Sequence, residues 1–162
     1  MSIDGVESSA QKLSGKKEQY ALFENIYAKL DLKMTDGKAY KLNQIKDKPV
    51  LLNFWASWCV PCMKEFKSLK EFQKKFEDKV LIIGINNDDE DQLKAIAKTQ
   101  KKMQISFPIY PDIESKITNN FLISSIPATM FFNKGKVIYF TNEEMDFMSE
   151  EFLELVEDTL AE

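Results

Sequence analysis

Cys59 and Cys62 are the only cysteines in a chain that contains no histidine. They stand in Trp55-Ala56-Ser57-Trp58-Cys59-Val60-Pro61-Cys62, directly behind the apolar run Val50-Leu51-Leu52-Asn53-Phe54. Beyond them Phe66, Leu69, Phe72 and Phe76 recur at three- and four-residue steps, the buried stripe of an amphipathic helix. A strand therefore delivers a dithiol to the start of a helix. One helical turn brings the second sulfur within reach of the first, so the pair can close into a small disulfide and reopen. Cys59 is expected in the first turn, where unsatisfied N–H groups and the positive end of the helix dipole favour thiolate over thiol. Its pKa should fall below the free value of ~8.5. Pro61 suits this position, because the first turn does not need its missing N–H. With no imidazole available, activation rests on the helix N-terminus, local N–H groups and nearby Lys64. Cys59 is then the nucleophile that forms a mixed disulfide with a substrate, and Cys62 attacks Cys59 to resolve it. The same steps reversed would oxidise a substrate.

Other uses of two cysteines fit less well. Structural zinc wants about four ligands, which two cysteines without histidine do not supply, so no metal is expected. A purely structural disulfide over so short a loop would add little chain-entropy stabilisation. The acidic run Asp88 to Asp91 reads as a solvated helix N-terminus rather than a metal site. A net charge of -4, from 22 basic and 26 acidic residues, offers no basic stripe for nucleic acid. No apolar run approaches the ~18 to 20 residues of a membrane-spanning helix, and Met1 to Gly15 lacks the apolar core of a signal peptide. Either a cytoplasmic location or the loss of a leader is expected from that. Dithiol exchange itself calls for no cofactor.

The elements that must hold the dithiol can be read in order. At 162 residues the chain fits one domain, expected over residues 16–162 after a polar, flexible arm at 1–15. Tyr20, Phe23, Tyr27 and Leu30 suggest a short packing helix. Leu32 and Met34 alternate with polar neighbours before Asp36-Gly37, whose φ > 0 tendency marks a hairpin that returns through Ala39-Tyr40-Lys41. Val50 to Phe54 reads as a central strand buried on both faces. Val80 to Ile85 is a second such strand. Asp89 with Gln92 fits a helix start, with Leu93, Ile96 and Ala97 as its apolar face. Strand-helix-strand alternation implies a parallel pair joined by a helical crossover. Phe107 to Asp112 is too proline-rich for anything but an edge segment or loop. A short helix from Glu114 to Asn119 follows. Thr129 to Phe132 and Lys136 to Phe140 form an antiparallel hairpin around Asn133-Lys134-Gly135. Ser149, Glu150 and Glu151 begin a last helix with Phe152, Leu153, Val156 and Leu160 on one face.

From about Ala28 to Val137 the chain resembles the thioredoxin superfamily, and more narrowly the TlpA/ResA-like thiol-disulfide oxidoreductases of bacterial cell envelopes. Asp36-Gly37-Lys38, the Val50 to Cys62 block, Glu65 and Ile126-Pro127-Ala128-Thr129 carry the resemblance. It implies an α/β, thioredoxin-like fold, a central mixed β-sheet flanked by helices, with an added N-terminal helix and β-hairpin. It also implies a cis bond at Ile126-Pro127, facing the dithiol, where a substrate segment adds as a strand. Trp58, Val60, Pro61 and Ile126 would form a shallow apolar substrate surface, with Trp55 turned into the core. Where cytosolic thioredoxins carry a buried aspartate this chain has Asn53, and the TlpA/ResA-like branch uses a glutamate in the position of Glu65. Catalytic roles are thus expected for Cys59, Cys62 and Glu65. Lys67 replaces a proline common in the branch, and Val60 replaces an acidic residue found in some cytochrome-maturation members.

The function expected from the resemblance is that of an enzyme reducing protein disulfides. Its partners would be cysteine-containing protein substrates and an electron-donor thiol-disulfide protein, with the chain a monomer and no nucleic acid involved. The location would be periplasmic or facing the cell envelope. A peroxide-consuming enzyme is the alternative within redox chemistry, although Ala56-Ser57-Trp58 does not provide the Thr-x-x-Cys of peroxiredoxins. A thioredoxin-like binding module with an incidental dithiol is the alternative outside it.

Overall fold

Every residue of strand β3 (Val50–Trp55) is buried, as a near-continuous apolar run requires when both faces of a sheet are covered. The computed structural model describes residues 9–162. Before β3 come helix α1 (Ser9–Tyr27) and a separate hairpin of β1 (Asp31–Lys33) and β2 (Ala39–Lys41). After it follow α2 (Val60–Lys75), β4 (Leu81–Asn86), α3 (Gln92–Met103), β5 (Ile109–Pro111), α4 (Lys116–Asn120), β6 (Ala128–Asn133), β7 (Lys136–Thr141) and α5 (Glu150–Leu160). The main sheet has the order β5-β4-β3-β6-β7. β3 runs parallel to β4 and antiparallel to β6, and β5 is a parallel edge strand. This is the mixed, helix-flanked sheet expected, with β3 at its centre.

The period of two divides the sheet into two cores. Leu51 and Trp55 of β3, Ile82 of β4 and Phe131 of β6 face α2 and α5, where Phe66, Leu69, Phe72, Phe152 and Val156 complete one core. Val50, Leu52 and Phe54, with Ile83, Ile85, Met130 and Phe132, face the other way, toward Phe23, Tyr27, Leu32 and Phe121. Helix α1 belongs to this second core. Tyr27 stacks on Phe132 with ring centroids 4.1 Å apart, and Phe23 meets Phe140 edge to face at 4.9 Å. Glu24 accepts from the backbone N–H of Val137 at 3.0 Å, so the helix is also tied to the outer strand. Gly84 is set by packing: a Cβ there would come within 2.8 Å of Phe107 and 2.9 Å of the Trp55 indole nitrogen.

Several local expectations are corrected. α1 begins at Ser9, so residues 9–15 of the expected arm are helical, while the rest of that arm lies outside the described residues. Only Gly37 of the Asp36-Gly37 pair has positive φ; Asp36 instead accepts from the N–H of Lys38. α3 is preceded by Asp91 in a left-handed conformation, not capped from Asp89, and no side chain caps it. Its buried residues are Ile96 and Thr99, while Leu93 and Ala97 are exposed, so the inward stripe runs through positions 96 and 99 rather than 93, 96 and 97. Among the described residues no helix is long and apolar enough to cross a membrane.

Candidate active site

Cys59 is the N-cap of α2 rather than a residue of its first turn: its backbone is extended, φ -88° and ψ 104°. The consequence is a sulfur at the mouth of the helix, where Cys59 Sγ accepts from the N–H of Cys62 at 3.3 Å. Pro61 lies in the first turn, where its lack of an N–H costs nothing. Cys59 and Cys62 are joined in a disulfide, and both are buried. Trp58 and Val60, by contrast, are large apolar side chains left 67% and 62% exposed on either side of Cys59. Pro61 is exposed with them. The backbone ahead of the dithiol is anchored from the loop after β4: Asp88 accepts from the N–H and hydroxyl of Ser57 at 2.9 and 2.6 Å. Asp88 is therefore buried and structural, not part of a solvated helix end, and Asn86 holds it from below at 2.8 Å.

The opposite wall comes from the loop entering β6. Ile126-Pro127 is a cis peptide bond. Ala128, the next residue, pairs with Phe54 of β3, so the proline and the dithiol leave neighbouring strands at the same end. Trp58 and Ile126 line one shared cavity of about 470 Å³ beside the disulfide. Cys59, Cys62, Trp58, Val60, Pro61, Ile126 and Pro127 are thus assembled at one end of the sheet.

Glu65 lies on α2 three residues beyond Cys62, and the i, i+3 relation sets the two on one helical face. It is only 2% exposed. The parity of β3 turns Asn53 to the same side as Leu51 and Trp55, and Asn53 Nδ2 donates to Glu65 Oε1 at 2.7 Å. The same amide lies 3.3 Å from the hydroxyl of Thr129, its cross-strand partner on β6. Glu65 Oε2 accepts from the N–H of Met145 at 3.1 Å. Burial raises the Glu65 pKa from an ordinary 4.5 to about 7; the hydrogen bonds from Asn53 and Met145 work against the shift, and the charge of Glu144 adds to it. The carboxyl therefore changes protonation near neutral pH. It also borders an open cleft of about 410 Å³ lined by Lys64, Ser68, Glu144 and Asp146, which gives it a route to water.

Sequence reasoning missed the connections to Glu65. The segment 142–148 carries no readable period in the sequence, yet it supplies the N–H of Met145 and, through the N–H of Phe147, a second tie to α2 at Ser68 Oγ, 3.0 Å away. No side-chain pattern signals a backbone donor of this kind. Lys64 is exposed and borders the Glu65 cleft. Among the described residues no group of cysteine, aspartate or glutamate side chains is arranged to hold a metal ion.

Residues 25–140 match the AhpC/TSA family. The chain is 34% identical over 111 residues to the thioredoxin-like protein YneN of Bacillus subtilis, covering 66% of this chain and 63% of that protein. It is 33% identical over 108 residues to the thiol-disulfide oxidoreductase ResA of Bacillus subtilis, covering 66% of this chain and 60% of that one. The chain thus spans somewhat over half the length of these curated relatives. The crystal structure of StoA from Bacillus subtilis superposes with a TM-score of 0.66 at 25% identity, covering 78% of this chain and 94% of that one. The cysteine pair at the mouth of α2, the cis-proline beside it and the mixed sheet beneath are accordingly those of a thioredoxin-like member of the AhpC/TSA family, to which this chain belongs.

Proposed function

We propose that the protein is a thiol-disulfide oxidoreductase that reduces disulfides in protein substrates. The observation that carries this reading is the Cys59–Cys62 pair at the helix mouth with a proton-exchanging carboxyl, Glu65, on the same face of α2. In the reduced protein the Cys59 thiolate attacks one sulfur of a substrate disulfide; the new S–S bond is the mixed disulfide, and the other substrate sulfur leaves as thiolate. Glu65 takes the proton of Cys62. The Cys62 thiolate then attacks Cys59 Sγ, the second substrate sulfur leaves, and the Cys59–Cys62 disulfide forms. Two electrons pass from protein to substrate, and an electron-donor thiol-disulfide protein restores the dithiol. Exposed Trp58 and Val60, with Pro61, Ile126 and Pro127, receive the substrate as an extended segment. A cell-envelope-facing location belongs to the same proposal and is supported by the resemblance to TlpA/ResA-like proteins.

Two kinetic steps test it. Cys62→Ser should accumulate mixed disulfides with protein substrates, whereas Cys59→Ser should not react. A positioned general base is worth ~100- to 10,000-fold, so Glu65→Gln should slow release from the mixed disulfide toward the low end of that range. Its effect on alkylation of Cys59 should be much smaller. Stopped-flow rates between about pH 5 and 9 separate the steps; an unchanged release rate and pH profile in Glu65→Gln would remove Glu65 from the mechanism. Insulin reduction without peroxide consumption distinguishes this activity from a peroxidase.

A further inference from the structure

The cavity that Trp58 and Ile126 share is bounded by the residues that precede Cys59 and Pro127, and it is lined as well by Asn87 and Asp89 of the loop after β4 and by Thr118 and Asn119 of α4. Both walls are held by buried carboxylates: Asp88 fixes the β4 loop to Ser57, and Asp112 accepts from the N–H and hydroxyl of Thr118 at 2.9 and 2.7 Å. The trough is therefore preformed rather than a gap that closes at no cost.

Its lining mixes the apolar side chains of Trp58, Ile123 and Ile126 with polar ones, and its charge has one sign. Asp89 is the one ionisable side chain among the lining residues, and it is exposed. It belongs to the run Asp88 to Asp91, and among the described residues none of these four carboxylates has a basic side chain within salt-bridge distance. Lys116 on α4 is exposed nearby in sequence but does not line the trough. Asn87, 8% exposed, contributes a side-chain oxygen that accepts no hydrogen bond, although its amide reaches the Ile85 carbonyl at 3.4 Å. A buried acceptor without a donor is a stable arrangement only at a cost that an incoming N–H would remove. At the other end the Trp58 indole offers an apolar and π-rich face.

We propose that this trough is a subsite for a lysine or arginine side chain flanking the reacting cysteine of an extended polypeptide substrate, its stem along Trp58 and Ile126 and its charge toward Asp89. The inference rests on the thiol-disulfide reading of the adjacent dithiol. It assigns a sequence preference to a surface whose apolar part alone would accept any unfolded cysteine-containing segment.

The test uses two disulfide-linked peptides, identical except that lysine or glutamate flanks the cysteine. At low salt kcat/KM for the lysine peptide should exceed that for the glutamate peptide by about threefold to tenfold, the range of an exposed charge contact with a cation–π contribution. Roughly 0.5 M salt should erase most of the difference. Asp89→Lys should invert the ratio, and Asp158→Lys, the same charge change on α5, should leave it in place. Binding is read separately from the Trp58 indole resonance of the oxidised protein, titrated with peptides carrying serine for cysteine. A ratio near one, or equal effects of the two variants, would overturn the subsite. If no peptide is reduced but the lysine peptide still binds selectively, the subsite stands and the reductase reading falls; without selective binding the subsite falls as well.

Discussion

Glu65 and Asp112 are both buried carboxylates, 2% and 1% exposed, and their surroundings differ in kind. Asp112 accepts from the backbone N–H groups of Ile117 and Thr118 and from the Thr118 hydroxyl, all within 3.0 Å. It ties the end of β5 to α4, and every donor it meets comes from the element it anchors. Glu65 accepts from one amide and one backbone N–H, and the charge of Glu144 lies close to it. A carboxylate whose oxygens are well supplied with donors acts as a fastener. One that is buried with fewer donors is left on the edge of protonation. The first arrangement builds a wall, the second moves a proton.

The largest effect should come from breaking the fastener. Asp112→Ala leaves buried donors unpaired and should cost roughly 3 to 5 kcal/mol in denaturant unfolding, while any folded protein keeps a reactive dithiol. A loss below about 1 kcal/mol would mean that water replaces the carboxylate and that the contrast is overstated.

Glu65 should act through pH instead. Its folded pKa of about 7 lies above the ordinary 4.5, so between those values the folded protein holds a proton that the unfolded chain has released. Stability contributed by this group is present below the lower value and lost as pH rises through the upper one, on the order of 3 kcal/mol in all. Glu65→Gln should therefore gain on wild type as pH rises across that window. Parallel pH–stability curves for the two proteins would show that the carboxyl is not buried protonated.

The dithiol-bearing face can be probed for rigidity apart from its proton. Gly84→Ala would push on Trp55 and Phe107 and should cost ~1 to 3 kcal/mol, read as a drop in melting temperature with the pH profile of release unaltered. The smallest change should follow Glu144→Gln. Removing one exposed neighbouring charge is worth ~0.2 to 1 kcal/mol, so the Glu65 midpoint should move down by less than about one pH unit. A shift upward would contradict the assigned role of Glu144.

The central strand, its parallel pairing with β4 and the β6–β7 hairpin were legible from apolar periodicity and turn residues, because those patterns report burial directly, whereas the antiparallel pairing of β3 with β6 left no local signal. The place of the dithiol was legible for the same reason. Asp88 was not: in sequence it heads an acidic run that suits a helix start, and only the fold brings it against Ser57. α3 shows the matching limit, since the helix and Ile96 on its inner face were expected, but the stripe continues through Thr99 and leaves Leu93 outward. Glu65 was expected from the resemblance, but Met145, whose backbone N–H restrains it, lies on a segment with no readable period.

The pairing of Asn53 with Thr129 places the polar support of Glu65 and the proline-bearing loop on one ladder of β3 and β6. Strand ladders admit only whole-residue steps of ~3.4 Å, and a single step exchanges the faces. The alignment of dithiol, carboxyl and substrate wall is therefore an integer quantity. Substitutions in this family can grade the acidity of the site continuously, but its geometry can only be kept or lost.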